Sequence, residues 1–231
     1  MSDSGDTLKL RIDLAAALER CSGDIELLSQ VVSETLEKAK NEQIPKIKTA
    51  LEGGDAKEIH FHAHSIKGAS ATTGFDCLSK AAKGLDDLVK GGTCEGAQPL
   101  LQAMESELES CIEYWRRHEE CMANGLERCG EDKELFQQIS KEMAEDIMPS
   151  QLESIEAALA EGDAENVAQF AMQLTEAAET IGGAALCDCV KPLSEAAESG
   201  DLSGAKPMIE LIRLEIEHMG AFWAAVEDPD E

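Results

Sequence analysis

The chain has 231 residues, a net charge of −27 and only 3% aromatic residues. Such an acidic chain lacks the basic patches that select nucleic-acid phosphates or anionic membrane surfaces, so neither is expected as a partner. Abundant Ala, Leu, Glu, Lys and Gln, with few β-branched or aromatic clusters, predict an all-α protein.

Residues 1–13 contain no apolar run of the signal-peptide kind. No stretch approaches the ~18 apolar residues of a membrane span. A cytoplasmic location is therefore expected. The eight cysteines then read as reduced, half-buried thiols rather than a disulfide framework. Cys187 and Cys189 are the only close pair. Their spacing points them to different sides of a helix, and no metal or redox role is assigned to them.

Caps and breaks place the helices. A first short helix runs from about Leu8 to Cys21. Asp24 caps a long second helix with apolar positions Leu27, Leu28, Val31, Val32, Leu36, Ile44, Ile47 and Leu51. Pro45 is expected to kink it, and Gly53-Gly54 ends it. Asp55 caps a third helix that reaches Thr73 and stops at Gly74. A fourth covers about Phe75 to Val89, before Gly91-Gly92. A fifth begins near Ala97-Pro99 and runs through Trp115.

The pattern then repeats. Leu18-Glu19-Arg20-Cys21 recurs 108 residues on as Leu126-Glu127-Arg128-Cys129. The same offset pairs Asp24 with Asp132, Gly54-Asp55-Ala56 with Gly162-Asp163-Ala164, Gly74 with Gly182, and Trp115 with Trp223. No gap is needed, so the chain reads as a tandem duplication of one helical unit, with domains at 1–120 and 121–231. The join has no linker composition. It is expected to be one continuous helix, with Asn124-Gly125 as its only soft point. The acidic tail from Val226 to Glu231 is expected to be disordered.

The third helix carries the chemistry. Ile59, Ala63, Ile66, Ser70 and Thr73 recur at helical spacing as its core side. Lys57, His60, His64, Lys67, Gly68 and Ala71 form an opposite stripe. A neutral imidazole on an exposed face is a competent nucleophile toward phosphorus. Lys67, three residues on, can reach a phosphoryl group on the ring. Gly68, four residues on, costs the helix about 1 kcal/mol relative to Ala and clears space beside His64. His60 and His64 could share one metal, but His62 faces away and no inward carboxylate pattern accompanies them, so no metal site is expected.

The segment His64-Ser65-Ile66-Lys67-Gly68, followed by Gly74, resembles the H-x-L-K-G-x(5)-G signature of histidine-phosphotransfer (HPt) domains, with Ile66 in place of the usual Leu. The resemblance extends over residues 8–115. It implies an up-down four-helix bundle with an extra N-terminal helix, working as a passive phosphoryl carrier in a two-component phosphorelay. His64 would be the phosphoacceptor, Lys67 would neutralise phosphate charge, and Gly68 would give docking space. Lys57, His60 and Ala71 are candidates for partner contact. The implied partners are a response-regulator receiver domain, which would supply Mg²⁺ and the reacting aspartate, and a hybrid sensor kinase. No cofactor of its own is expected, and no ATP-binding motif marks the chain as an enzyme. The competing reading is a non-phosphorylated adaptor that binds or sequesters receivers.

In the second unit the same offset replaces His64 by Met172, Lys67 by Thr175, Gly68 by Glu176, Lys57 by Glu165 and His60 by Ala168. Core positions persist as Val167, Phe170, Ala171, Leu174 and Ile181. This unit is expected to be a degenerate HPt-like bundle without an acceptor, with His218 as its only histidine.

Overall fold

The computed structural model describes residues 13–226. The expected start of the first helix at residues 8–12 and all but the first residue of the expected tail lie outside them. Among the described residues there is no strand.

Asp13 caps α1 (Leu14–Arg20) by accepting from the Ala16 N–H, 3.0 Å. Asp24 caps α2 (Ile25–Lys38) through the Leu27 N–H, 2.9 Å. The long second helix does not simply kink at Pro45. A π-turn over Ala39–Gln43 separates α2 from α3 (Ile44–Gly53). Pro45 has no N–H to give to the carbonyl four residues back, and its ring would clash there. The wider turn accommodates that defect without breaking the helix. Asp55 caps α4 (Ala56–Thr72), accepting from Lys57 and Glu58 N–H. After it come α5 (Asp76–Val89) and α6 (Ala97–Arg128).

The contacts divide the described chain between Trp115 and Arg116. In the first unit α4 packs against α3 and α5. Its core holds Leu28, Val32, Ile47, Ile59, Ala63, Ile66, Leu78, Leu85, Leu101 and Met104. Trp115 Nε1–H donates to Ser33 Oγ at 3.1 Å and ties α6 to α2. Leu27 departs from the expected apolar face: it is 43% exposed, because it lies in the first turn of α2, one residue before buried Leu28. Val31 and Leu51 are half-buried.

Gly74 is where the turn after α4 needs glycine. Its φ is +81°, and a Cβ there would lie 2.2 Å from the Asp13 carbonyl oxygen. The Asp13 N–H also donates to Gly74 O at 2.8 Å, so α1 is fastened to this corner. Gly74→Ala combines left-handed strain with that backbone overlap. It is expected to cost at least about 2 kcal/mol, read as a lowered urea midpoint at constant m.

The second unit contains α7 (Lys133–Glu142), a π-turn (Met143–Ile147), α8 (Met148–Glu161), α9 (Ala164–Thr180), α10 (Ala184–Ser199) and α11 (Ala205–Ala224). Helix α9 packs on α8 and α10, and α11 closes the bundle against α7, α8 and α10. Val167, Ala171, Leu174 and Ile181 are buried as expected, and Phe170 is half-buried. The bounds of α9 are those of α4 moved by 108 residues.

The end of α6 does in this unit what α1 does in the first. Arg128 donates to Thr180 Oγ1 at 3.2 Å, as Arg20 donates to the Thr72 carbonyl at 2.8 Å. Asn124 and Gly125 lie inside α6, as the expected continuous helix has them. A Cβ on Gly125 would fall 2.1 Å from the Thr180 carbonyl oxygen, so that glycine serves close approach. The second unit also holds a histidine besides His218. His118 is buried, with Nδ1–H donated to Gly182 O at 2.8 Å, and burial lowers its pKa. Burial likewise pushes the thiols of Cys187 and Cys189 up to about 12, so both stay protonated at neutral pH. Among the described residues no helix is long and apolar enough to cross a membrane.

Candidate functional site: a histidine face built on a buried carboxylate

Helix α4 buries Ile59, His62, Ala63, Ile66 and Ser70. Buried His62 donates its Nε2–H to Glu58 Oε1 at 3.0 Å, one turn back. The other side of α4 meets α5, and there one residue organises the site. Asp86, on the inner face of α5, has a side chain with 0% exposure.

Asp86 Oδ1 lies 2.5 Å from His60 Nδ1. Asp86 Oδ2 lies 3.2 Å from His64 Nδ1 and accepts from Lys67 Nζ at 2.9 Å. Lys90 Nζ completes the set, 3.2 Å from Oδ2, and also reaches Asp87 at 2.8 Å. Burial alone would raise the Asp86 pKa, but the hydrogen bonds from Lys67, Lys90, His64 and His60 together hold it well below the usual carboxylate range. A buried anion is tolerated here because four donors surround it.

His64 itself is 60% exposed. Its Nδ1 turns inward to Asp86, so Nε2 is the nitrogen left toward solvent. Lys67 Nζ sits 3.0 Å from His64 Nδ1 as well as on Asp86. Nδ1 can accept from Lys67 or donate its N–H to Asp86; in the tautomer that donates to the carboxylate, Nε2 keeps its lone pair and is the nucleophilic nitrogen. The His60 and His64 rings stand 5.7 Å apart. Both direct Nδ1 to the same carboxylate.

Three expected site residues thus converge on Asp86: His60, His64 and Lys67. Lys57, Gly68 and Ala71 are exposed on α4 and stand outside that network. A Cβ built on Gly68 meets nothing within 4 Å. The glycine is therefore not there for packing within the unit. Gly68→Ala is expected to stabilise the first unit by up to about 1 kcal/mol through helix propensity, measured by thermal melting.

The expected site omitted Asp86 and Lys90. A signal for them was present. Asp86 falls among Leu78, Ala82, Leu85 and Val89, so an acid interrupts the apolar stripe of α5. At the same 108-residue offset Asp86 aligns with Ser194 and Lys90 with Glu198. In the second unit the corresponding face is an open groove of about 730 Å³ lined by Ala168, Met172, Thr175, Glu176 and Ser194. Met172 is 57% exposed, where the first unit carries its histidine.

Residues 30–118 match the family model of the Hpt domain, which supports an Hpt reading of the first unit. Hpt domains are phosphocarriers of phosphorelay signalling that work with response-regulator receiver domains. No curated protein and no solved structure matches the chain.

Proposed function

We propose that His64 receives a phosphoryl group from the phosphoaspartate of a receiver domain and returns it to another. The observation that carries this reading is the inward Nδ1 contact of His64 with buried Asp86, which leaves Nε2 outermost. In the forward step the Nε2 lone pair forms a bond to phosphorus, and the acyl-phosphate P–O bond breaks. The aspartate carboxylate leaves with the bonding pair. The ring becomes a phosphorylated imidazolium that keeps its Nδ1 proton. Asp86, already anionic, stabilises the positive charge that develops on the ring. Lys67 lies close enough to neutralise the incoming phosphoryl oxygens. The receiver contributes the Mg²⁺ and the reacting aspartate, so this chain needs no cofactor and catalyses no reaction from ATP. A hybrid sensor kinase is the natural source of the phosphate.

The exposed glycine fits docking. Gly68→Ala, stabilising by itself, is expected to slow transfer from a receiver severalfold. The second unit is a degenerate HPt-like copy: it repeats the helices and lacks the nucleophile, the cation and the carboxylate together. The same reading places the chain in the cytoplasm.

The test is transfer from a panel of phosphorylated receivers, with mapping of the phosphorylated residue. An acid-labile, alkali-stable phosphate on His64 is the expected result. Receivers that bind without transferring would replace the carrier by an adaptor.

A further inference from the structure

Phe61 is 65% exposed, more than the other large apolar side chains described as exposed. It sits one turn before His64 on α4. On a helix of 3.6 residues per turn it lies within about 60° of His64, 40° of Lys57 and 20° of Gly68. The result is one open strip: an aromatic ring, the histidine, then a bare glycine with nothing near it. The Phe61 ring stands edge-on to His62 at 5.1 Å between centroids. His62 is buried and bonded to Glu58, so the aromatic ring rests on a fixed support.

We propose that Phe61 is the apolar anchor by which the phosphodonor receiver docks, and that it sets affinity for that partner without entering the chemistry. This inference rests on the carrier reading of His64. Exposing a phenylalanine costs solubility and contributes nothing to the core. Rigid aromatic side chains on an otherwise polar face are the usual anchors of protein interfaces.

Charge selects the occupant. Lys57 lies on the strip itself, and Lys67 and Lys90 lie across His64 from Phe61, where they also hold Asp86, on a chain of net charge −27. A partner bearing a phosphoaspartate, with the carboxylates that hold its Mg²⁺, is acidic at its contact and complements these lysines. A second copy pairing through the same strip would be two-fold symmetric and would set these lysines against themselves. The second unit supplies a comparison. There Phe61 becomes Gln169 and Lys57 becomes Glu165, so the anchor and its neighbouring charge disappear along with the histidine.

The test uses the full chain as wild type, Phe61→Ala and Phe61→Leu. Phosphoramidate, a small donor that needs no docking, first phosphorylates His64. Wild type and Phe61→Ala are expected to react with it at equal rates. Transfer from the receiver that is fastest in the panel is then followed against receiver concentration. Phe61→Ala is expected to raise the half-saturating concentration about tenfold with an unchanged plateau rate, and Phe61→Leu to recover part of the loss. Unchanged transfer by Phe61→Ala overturns the proposal. Equal loss with phosphoramidate also overturns it, because the effect would then be on the histidine itself. Wild-type dimers in sedimentation that dissociate in Phe61→Ala would make the strip a self-contact and overturn it too. Failure of phosphoramidate and every receiver to label His64 in wild type would instead remove the carrier reading.

Discussion

His64→Gln is expected to reduce receiver-dependent phosphorylation of the chain to background. Glutamine fills similar space but offers no nucleophilic nitrogen. The side chain replaced is 60% exposed, so the fold should hold, with stability within about 0.5 kcal/mol of wild type. Asp86 would lose one donor but keep Lys67, Lys90 and His60. Receiver binding, followed by calorimetry, should survive. Loss of transfer with retained binding separates the carrier from the adaptor, since an adaptor has no use for the nucleophile. Residual acid-labile phosphate on the variant would mean that another residue accepts it.

Asp86→Asn is the second large effect, and it should appear in both rate and stability. An amide oxygen at this position can still accept from Nδ1–H, so ring orientation is largely kept. What disappears is the negative charge under the ring. Transfer is expected to fall about tenfold in Asp86→Asn and about a hundredfold in Asp86→Ala, where orientation is lost as well. Single-turnover rates at saturating receiver give these values.

The stability effect has a defined pH dependence. The native pKa of Asp86 is depressed, so in the unfolded chain the carboxylate takes up a proton at a higher pH than in the folded one. Its stabilisation is complete above the ordinary carboxylate pKa, about 4. It is lost as pH falls through the lowered native value. Wild type should therefore exceed Asp86→Asn by about 2 kcal/mol at pH 7, and the gap should narrow below about pH 4. A gap independent of pH would mean that Asp86 contributes packing rather than charge.

Much of the helical framework was legible in the sequence, and for identifiable reasons. Asp24, Asp55 and Gly54 mark helix ends through local chemistry that a single sequence carries. The stripe of His60, His64 and Lys67 was legible because helical spacing alone puts those residues on one side. Asp86 was not, because its role depends on α5 packing against α4 across 22 residues of sequence from His64. Periodicity within one helix does not say which neighbour it meets. Gly68 was read from its spacing as clearing room beside His64, and the empty space around its Cβ position shows that no neighbour within the unit requires a glycine there. Leu27 misled because an apolar residue in the first turn of a helix can satisfy the period and still lie at its open end.

The π-turns have a consequence for how the chain can be edited. In the first unit the wide turn ends at Gln43 and proline follows at Pro45. In the second it ends at Ile147 and proline follows at Pro149. Counted from the aligned caps at Asp24 and Asp132, the second turn comes four residues earlier, and so does its proline. The turn follows the proline rather than the repeat. Four residues are close to one helical revolution, so the defect has moved along its helix while both ends of the unit stayed in register. It behaves as a portable insertion, and a designer could relocate it by one revolution by moving a single imino acid.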